Sequence, residues 1–316
     1  MFRCLSLVVK YLERRTGQKP GSGQKPGSIK YRSYINGYLF ILPALIGLIV
    51  FRLYPIFFSV FKSLYRINFS GGGSETFVGF RNYIDLLSDS TILNSLKVTL
   101  ILNIMINPLQ ILISLLLAIL LNKNNLSIRI FRTFIMLPLG ISLSIASVIW
   151  GLMLNPHSGL INSILGILGI QPQPFLTSKV QALWCIILIA TWKGVAYWMI
   201  FILAGLKEIP DQIYEAAIID GANSWESFWK ITLPLLRRVL LFVTVSDTTA
   251  NFLLFVPIFM LTKGGPQMST NVLMHEAYTR AFIYSDMNSA LAITTLILLI
   301  LLIVIGLEFR LIKAED

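Results

Sequence analysis

Two charged side chains, Lys193 and Asp247, stand inside otherwise apolar runs. Where such a run crosses a bilayer, a charge near its middle costs about 2.5 to 3.5 kcal/mol on insertion scales, so each must face protein or water and serve a purpose there. Trp192, Tyr197 and Trp198 flank the lysine, and Thr244, Ser246, Thr248, Thr249 and Asn251 surround the aspartate. Flat aromatic faces combined with amide, hydroxyl and carboxylate groups suit a polyhydroxylated solute. Trp192, Lys193, Tyr197, Trp198, Asp247, Thr248 and Asn251 are therefore candidate residues of a substrate pathway. The same residue types also serve as packing, interface anchors and helix contacts, a reading that stands beside the first. Asn103, Asn107 and Gln110, around Pro108, predict hydrogen bonds between helices.

Other chemistry finds little support. No nucleophile, base and orienting group recur together in a pattern that predicts catalysis, so no catalytic residue is assigned. Cys4 and Cys185 lie far apart, Cys185 within an apolar run, and His157 and His275 show no ligand spacing. A disulfide framework or metal site is not expected. The chain also lacks the GxxxxGK[ST] phosphate loop, so it is not expected to bind or hydrolyse ATP by itself.

The elements that must position these residues follow from composition. Of 316 residues, 55% are hydrophobic and 13% charged, against about 25% charged in soluble proteins. The apolar residues arrive in blocks of about 20 or more, the length that spans a hydrocarbon core. The lipid bilayer is therefore the expected solvent. Six spans are predicted, over Gly37 to Phe61, Val98 to Leu121, Thr133 to Leu154, Val180 to Leu206, Val239 to Thr262 and Ser289 to Leu307. Continuous runs exclude barrel strands, which would alternate, so the fold class is all-α and polytopic.

The net charge of +11 belongs to topology and not to nucleic acid, because the basic residues flank the apolar blocks and form no single patch. Residues 1–35 form a basic tail with the repeat GQKPGS GQKPGS from Gly17 to Ser28, a composition of flexible linkers. Residues 36–316 make up the membrane domain. Placing the N-terminus inside puts the tail, Lys123, Arg129, Arg132, Lys207, Lys230, Arg237, Arg238, Arg310 and Lys313 on one side. Only Lys62, Arg66, Arg81, Lys179, Lys263 and Arg280 then lie opposite, so both termini are predicted cytoplasmic.

Residues 207–238 then form a cytoplasmic loop that reads as two short helices. Pro210 suits a first helical position, Asp211 the positive end of the helix dipole, and Gly221 the left-handed residue that ends a helix. Asn223 and Glu226 match a capping box for a second helix, expected to end near Leu233-Pro234.

Glu215-Ala216-Ala217-Ile218-Ile219-Asp220-Gly221-Ala222, followed by Phe228, Ile231 and Leu233-Pro234, closely resembles the EAA loop of ATP-binding-cassette (ABC) importer permeases. Phe77-Val78-Gly79-Phe80-Arg81-Asn82-Tyr83, Gly159-Leu160-Ile161-Asn162, Leu203-Ala204-Gly205-Leu206 and Leu261-Thr262-Lys263-Gly264-Gly265-Pro266 resemble the carbohydrate-uptake branch, first-permease type. That resemblance implies a sugar, polyol or related osmolyte as cargo and the bacterial cytoplasmic membrane as location. It implies a second homologous permease, two ATPase subunits holding ATP and Mg, and an extracytoplasmic solute-binding protein as partners. It also implies that Ile213, Tyr214, Glu215, Ala216, Ala217, Asp220 and Gly221 belong to a coupling helix docked on an ATPase subunit. Small Ala216 and Ala217 suit close approach, Ile213, Tyr214 and Ile218 are apolar anchors, and Glu215 suits a basic partner residue. An amphipathic helix lying on lipid headgroups is the plainer alternative for this segment, although its three acids disfavour that surface. An ion-coupled secondary transporter is the alternative for the whole chain, with the span charges as a relay.

Overall fold

The computed structural model describes residues 38–68, 74–123 and 125–313. The predicted basic tail, residues 1–35, lies outside the described residues. The described chain is built from helices, with one exception: strands β1 (Tyr65–Asn68) and β2 (Ser74–Phe77) pair antiparallel, with Tyr65 opposite Phe77. The helices, in order, are α1 (Tyr38–Lys62), α2 (Arg81–Ser88), α3 (Ser90–Leu120), α4 (Leu126–Met136), α5 (Leu143–Met153) and α6 (Leu160–Ile167). They continue as α7 (Gln181–Glu208), α8 (Asp211–Ile219), α9 (Ser224–Ser227), α10 (Leu233–Phe252), α11 (Leu273–Tyr278) and α12 (Met287–Lys313). Packing divides the chain after Phe58, and both candidate sites lie in the second unit.

Four of these helices, α1, α3, α7 and α12, are long and apolar enough to cross a membrane, and α4 with α5 makes a fifth if that bent pair is one span. This is compatible with six crossings. The predicted third span is not straight: its halves meet at 100° around Leu137–Gly140. Pro138 and Gly140 explain the break, because proline supplies no N–H to the ladder and glycine holds a helix poorly. Ser142 restarts the helix by accepting from the Ile145 amide at 3.2 Å. The predicted fifth span is α10 followed by a break at Leu253 and a π-helical turn over Ile258–Thr262.

The core forms where α3 runs along α7. Val98, Leu102 and Ile106 pack with Ile186, Ile187 and Ala190, and further along Leu115 and Ala118 pack with Trp198, Met199 and Ile202. Gly194 makes the close approach possible, since a Cβ there would stand 2.3 Å from the Gln110 amide nitrogen. That nitrogen instead crosses to donate to the Ala190 carbonyl at 2.7 Å. Gly205 has a similar role toward α10, where a Cβ would meet Val239 at 2.7 Å.

Beyond the C-terminal end of α10, Arg280 gathers Asp89, Glu276 and Asp286. Partial burial works against a charged Asp89, but the Thr91 amide and the Arg280 guanidinium outweigh it and hold this carboxyl below the usual range. Asn271 donates to Ser95 Oγ at 2.9 Å and to Glu276 at 2.8 Å, so this end of the bundle is tied to α3.

Candidate coupling loop and intramembrane polar network

The loop between α7 and α10 is ordered by local signals. Pro210 stands at the N-cap, one place earlier than predicted, and Asp211 opens α8. Gly221 adopts φ +81°, the left-handed conformation that glycine adopts without cost. Its N–H reaches the Ile218 carbonyl at 3.0 Å while the Ala222 N–H reaches Ala217 at 2.9 Å, the paired bonds of a Schellman motif. Asn223 then accepts from the Glu226 amide at 2.9 Å as Glu226 accepts from the Asn223 amide at 3.1 Å, closing the capping box.

The second helix does not end at Leu233-Pro234. It passes through a π-helical turn, Phe228–Thr232, directly into α10, with Pro234 in that helix's first turn. The π-helical turn, in which the Leu233 N–H bonds back to Phe228, accommodates a proline that supplies no N–H to the ladder.

The two faces of α8 differ. Ala217 is buried, and Tyr214 packs on the core of α3, α7 and α10, its hydroxyl 3.0 Å from Thr232 Oγ1. Their smallness and apolar bulk thus serve contact with this chain's own bundle, contrary to the expectation that both face outward. Ile213, Glu215, Ala216, Ile218, Asp220 and Gly221 are exposed, as is Ile219 at 86%. Trp225 and Trp229 add an exposed aromatic pair with ring centroids 5.6 Å apart.

Inside the bundle the two span charges do not pair. The Lys193 ammonium donates to the carbonyls of Pro138 and Ile141, at the break between α4 and α5. Trp192 packs edge-on against Trp150, 5.7 Å between centroids, and Tyr197 lies largely exposed beside Trp198 and Phe201.

The other four candidates converge. Asp247, 1% exposed, accepts from the Trp198 indole at 2.6 Å and from Asn251 Nδ2 at 3.0 Å. Asn251 Nδ2 also reaches Asn107 Oδ1 at 2.7 Å and Gln110 Oε1 at 3.2 Å. Asn107 donates to Thr248 Oγ1 at 3.0 Å, and Thr248 donates to Glu308 Oε1 at 2.6 Å. One network therefore joins α3, α7, α10 and α12. Asn107 and Gln110 do bridge helices, whereas Asn103 donates to Thr99 of its own helix. Glu308 escaped sequence reasoning, although an acid in the last turns of an apolar helix was its signal. Asp247 Oδ2 and Glu308 Oε2 are buried without a hydrogen-bond partner.

Residues 110–313 match the family described as "Binding-protein-dependent transport system inner membrane component". The sn-glycerol-3-phosphate transport system permease protein UgpA of Agrobacterium fabrum is 32% identical over 287 residues, covering 90% of this chain and 97% of that protein. The trehalose/maltose transport system permease protein MalF of Thermococcus litoralis is 34% identical over 286 residues, covering 89% of this chain and 95% of that one. A chain of a bacterial alginate ABC transporter, solved in complex with an alginate pentasaccharide-bound periplasmic protein, has the same fold, with TM-score 0.77 at 22% identity, covering 90% of this chain and 96% of that one. A capped loop feeding a span and these matches lead to one assignment: the chain belongs to the binding-protein-dependent transport system inner membrane components, the permease subunits of ABC importers.

Proposed function

We propose that this permease carries a sugar, polyol or related osmolyte across the cytoplasmic membrane, with both termini and the α7–α10 loop on the cytoplasmic side. It works with a second homologous permease, two ATPase subunits that hold ATP and Mg, and an extracytoplasmic binding protein. The relative named for trehalose and maltose supports that solute class. Asp247, Thr248, Asn251 and Trp198 line the solute pathway in this reading. Lys193 shapes it by holding the break between α4 and α5, with Trp192 and Tyr197 beside it.

The observation that carries the coupling role is the two-faced α8. Its Tyr214 and Ala217 side is fastened to the span core, and its Ile213, Glu215, Ala216 and Ile218 side is open to a partner. A helix held so, and joined by the Gly221 turn to α9, which runs on into α10, transmits force from an ATPase groove to the spans. Nucleotide binding then favours one access state, and moving a two-state equilibrium from 1:99 to 99:1 takes about 5.5 kcal/mol of differential binding.

Glu215→Ala tests this in the purified complex. Solute-stimulated ATP hydrolysis and vesicle uptake should both fall, with Ser227→Ala as control. Full activity of Glu215→Ala would remove the helix from the coupling route. A cysteine placed at Asn223 should be shielded from an impermeant external reagent while one at Ser158 reacts, and external labelling at Asn223 would overturn the orientation.

A further inference from the structure

Relatives of comparable identity are named for a phosphorylated solute and for neutral sugars, and the polar network separates the two. We propose that the solute passing this network is a neutral polyhydroxylated molecule, that phosphate esters are excluded there, and that Glu308 is the positioning residue that sets which groups accept. The inference rests on the reading of Asp247 and Asn251 as pathway residues.

The direction of each hydrogen bond carries the argument. A carboxylate accepts and does not donate. Thr248 gives its single hydrogen to Glu308, 2.6 Å away, so toward Asn107 it has only a lone pair to offer. Asn107 must therefore turn its amide nitrogen to Thr248 and its oxygen to Asn251. The Asn251 nitrogen is in turn engaged by Asn107, Gln110 and Asp247, which leaves the Asn251 oxygen as the free end of that side chain. On Asp247, Oδ1 is taken by Trp198 and Asn251, and Oδ2 is buried and unpaired. With Asp247 and Glu308 both ionised, what the network leaves unused are acceptors, and a ligand that completes them donates.

A polyol or sugar hydroxyl donates. A phosphate ester brings acceptor oxygens and negative charge toward Asp247 and Glu308, an unfavourable pairing in acceptors and in charge. The cation that would offset it is committed elsewhere, because Lys193 is held by the Pro138 and Ile141 carbonyls. Among the described residues, no lysine, arginine or histidine donates to either carboxylate. Asp247 is buried in this state, so Oδ2 meets the solute when α7 and α10 part during the cycle.

The test is uptake of maltose, trehalose and sn-glycerol 3-phosphate by the complete transporter with its binding protein in proteoliposomes, alongside retention of each solute by the binding protein. A neutral sugar should be carried about a hundredfold or more faster than the ester, the scale of a like-charge juxtaposition. Doubly neutralised Asp247→Asn with Glu308→Gln should narrow that ratio to about tenfold or less. Glu308→Gln alone keeps an acceptor for Thr248 and should retain most uptake, whereas Glu308→Leu should raise the apparent KM for the sugar in an assembled complex. Wild-type transport of the ester within about tenfold of the sugar overturns the inference. So does an unchanged ratio in the double variant, which would place selectivity in the binding protein. Failure of every solute to move or to stimulate ATP hydrolysis would instead bring down the proposed import function, and this inference with it.

Discussion

The coupling loop and the intramembrane network are organised in opposite ways. In the loop, each determinant sits within five residues of its partner: Gly221 with Ile218, Ala222 with Ala217, Asn223 with Glu226. In the network, Asn107 reaches Thr248, Asn251 reaches Gln110, and Thr248 reaches Glu308, across three different helices. The loop is exposed and needs conformational precision, while the network is buried and needs its polar groups satisfied. A lost group should therefore cost more in the network than in the loop.

The largest effect is expected for Asp247→Ala, which leaves the buried Trp198 indole without its acceptor. Hydrogen bonds to a charged group contribute about 1.5 to 3 kcal/mol, so uptake in vesicles should fall roughly ten- to hundredfold. Wild-type uptake would remove the network from the pathway. Gly194→Ala comes next: its Cβ would displace Gln110, overpacking that costs about 1 to 3 kcal/mol, and thermal unfolding of the solubilised complex should begin several degrees lower. An unchanged unfolding profile would mean that Gln110 relocates freely.

In the loop, Gly221→Val forces a branched residue into the left-handed region at about 1 to 2 kcal/mol. Assembly should survive while uptake per ATP hydrolysed declines, and an unchanged ratio would show that α8 tolerates a different tilt. The smallest effect belongs to Asn223→Ala, where a lost N-cap costs about 1 kcal/mol. Coupling should soften only slightly. A loss larger than that of Asp247→Ala would invert the contrast between the two regions.

The same contrast explains what the sequence made legible. Gly221, the capping box and the bounds of α7 could be read because short-range rules govern them. Asp247 and Lys193 announced themselves by their cost in apolar runs, yet the sequence offered no measure of distance between them. Lys193 turned out to serve the carbonyls of Pro138 and Ile141, 55 and 52 residues earlier, at the break between α4 and α5. Tyr214 and Ala217 were assigned to the partner contact because the resemblance names a docking helix, and neither apolar bulk nor smallness tells which neighbour a side chain meets. Glu308 was overlooked because an acid near the end of a span also fits a solvated terminus. Only its contact with Thr248, 60 residues earlier, distinguishes the two.

The π-helical turn at Phe228–Thr232 has a consequence for angular phase. A turn that closes on the fifth residue behaves as an α-turn carrying one extra residue, and one residue corresponds to about 100° of rotation. The segment α8–α9 is thereby clocked about the axis of α10 by roughly that angle relative to an unbroken α-helix. That offset is part of what lets Tyr214 meet Thr232 while Glu215 looks away. If the wide turn were to close to a regular one, the loop would swivel without any hinge opening, and under the proposed coupling role it would pass torque as well as thrust to the spans.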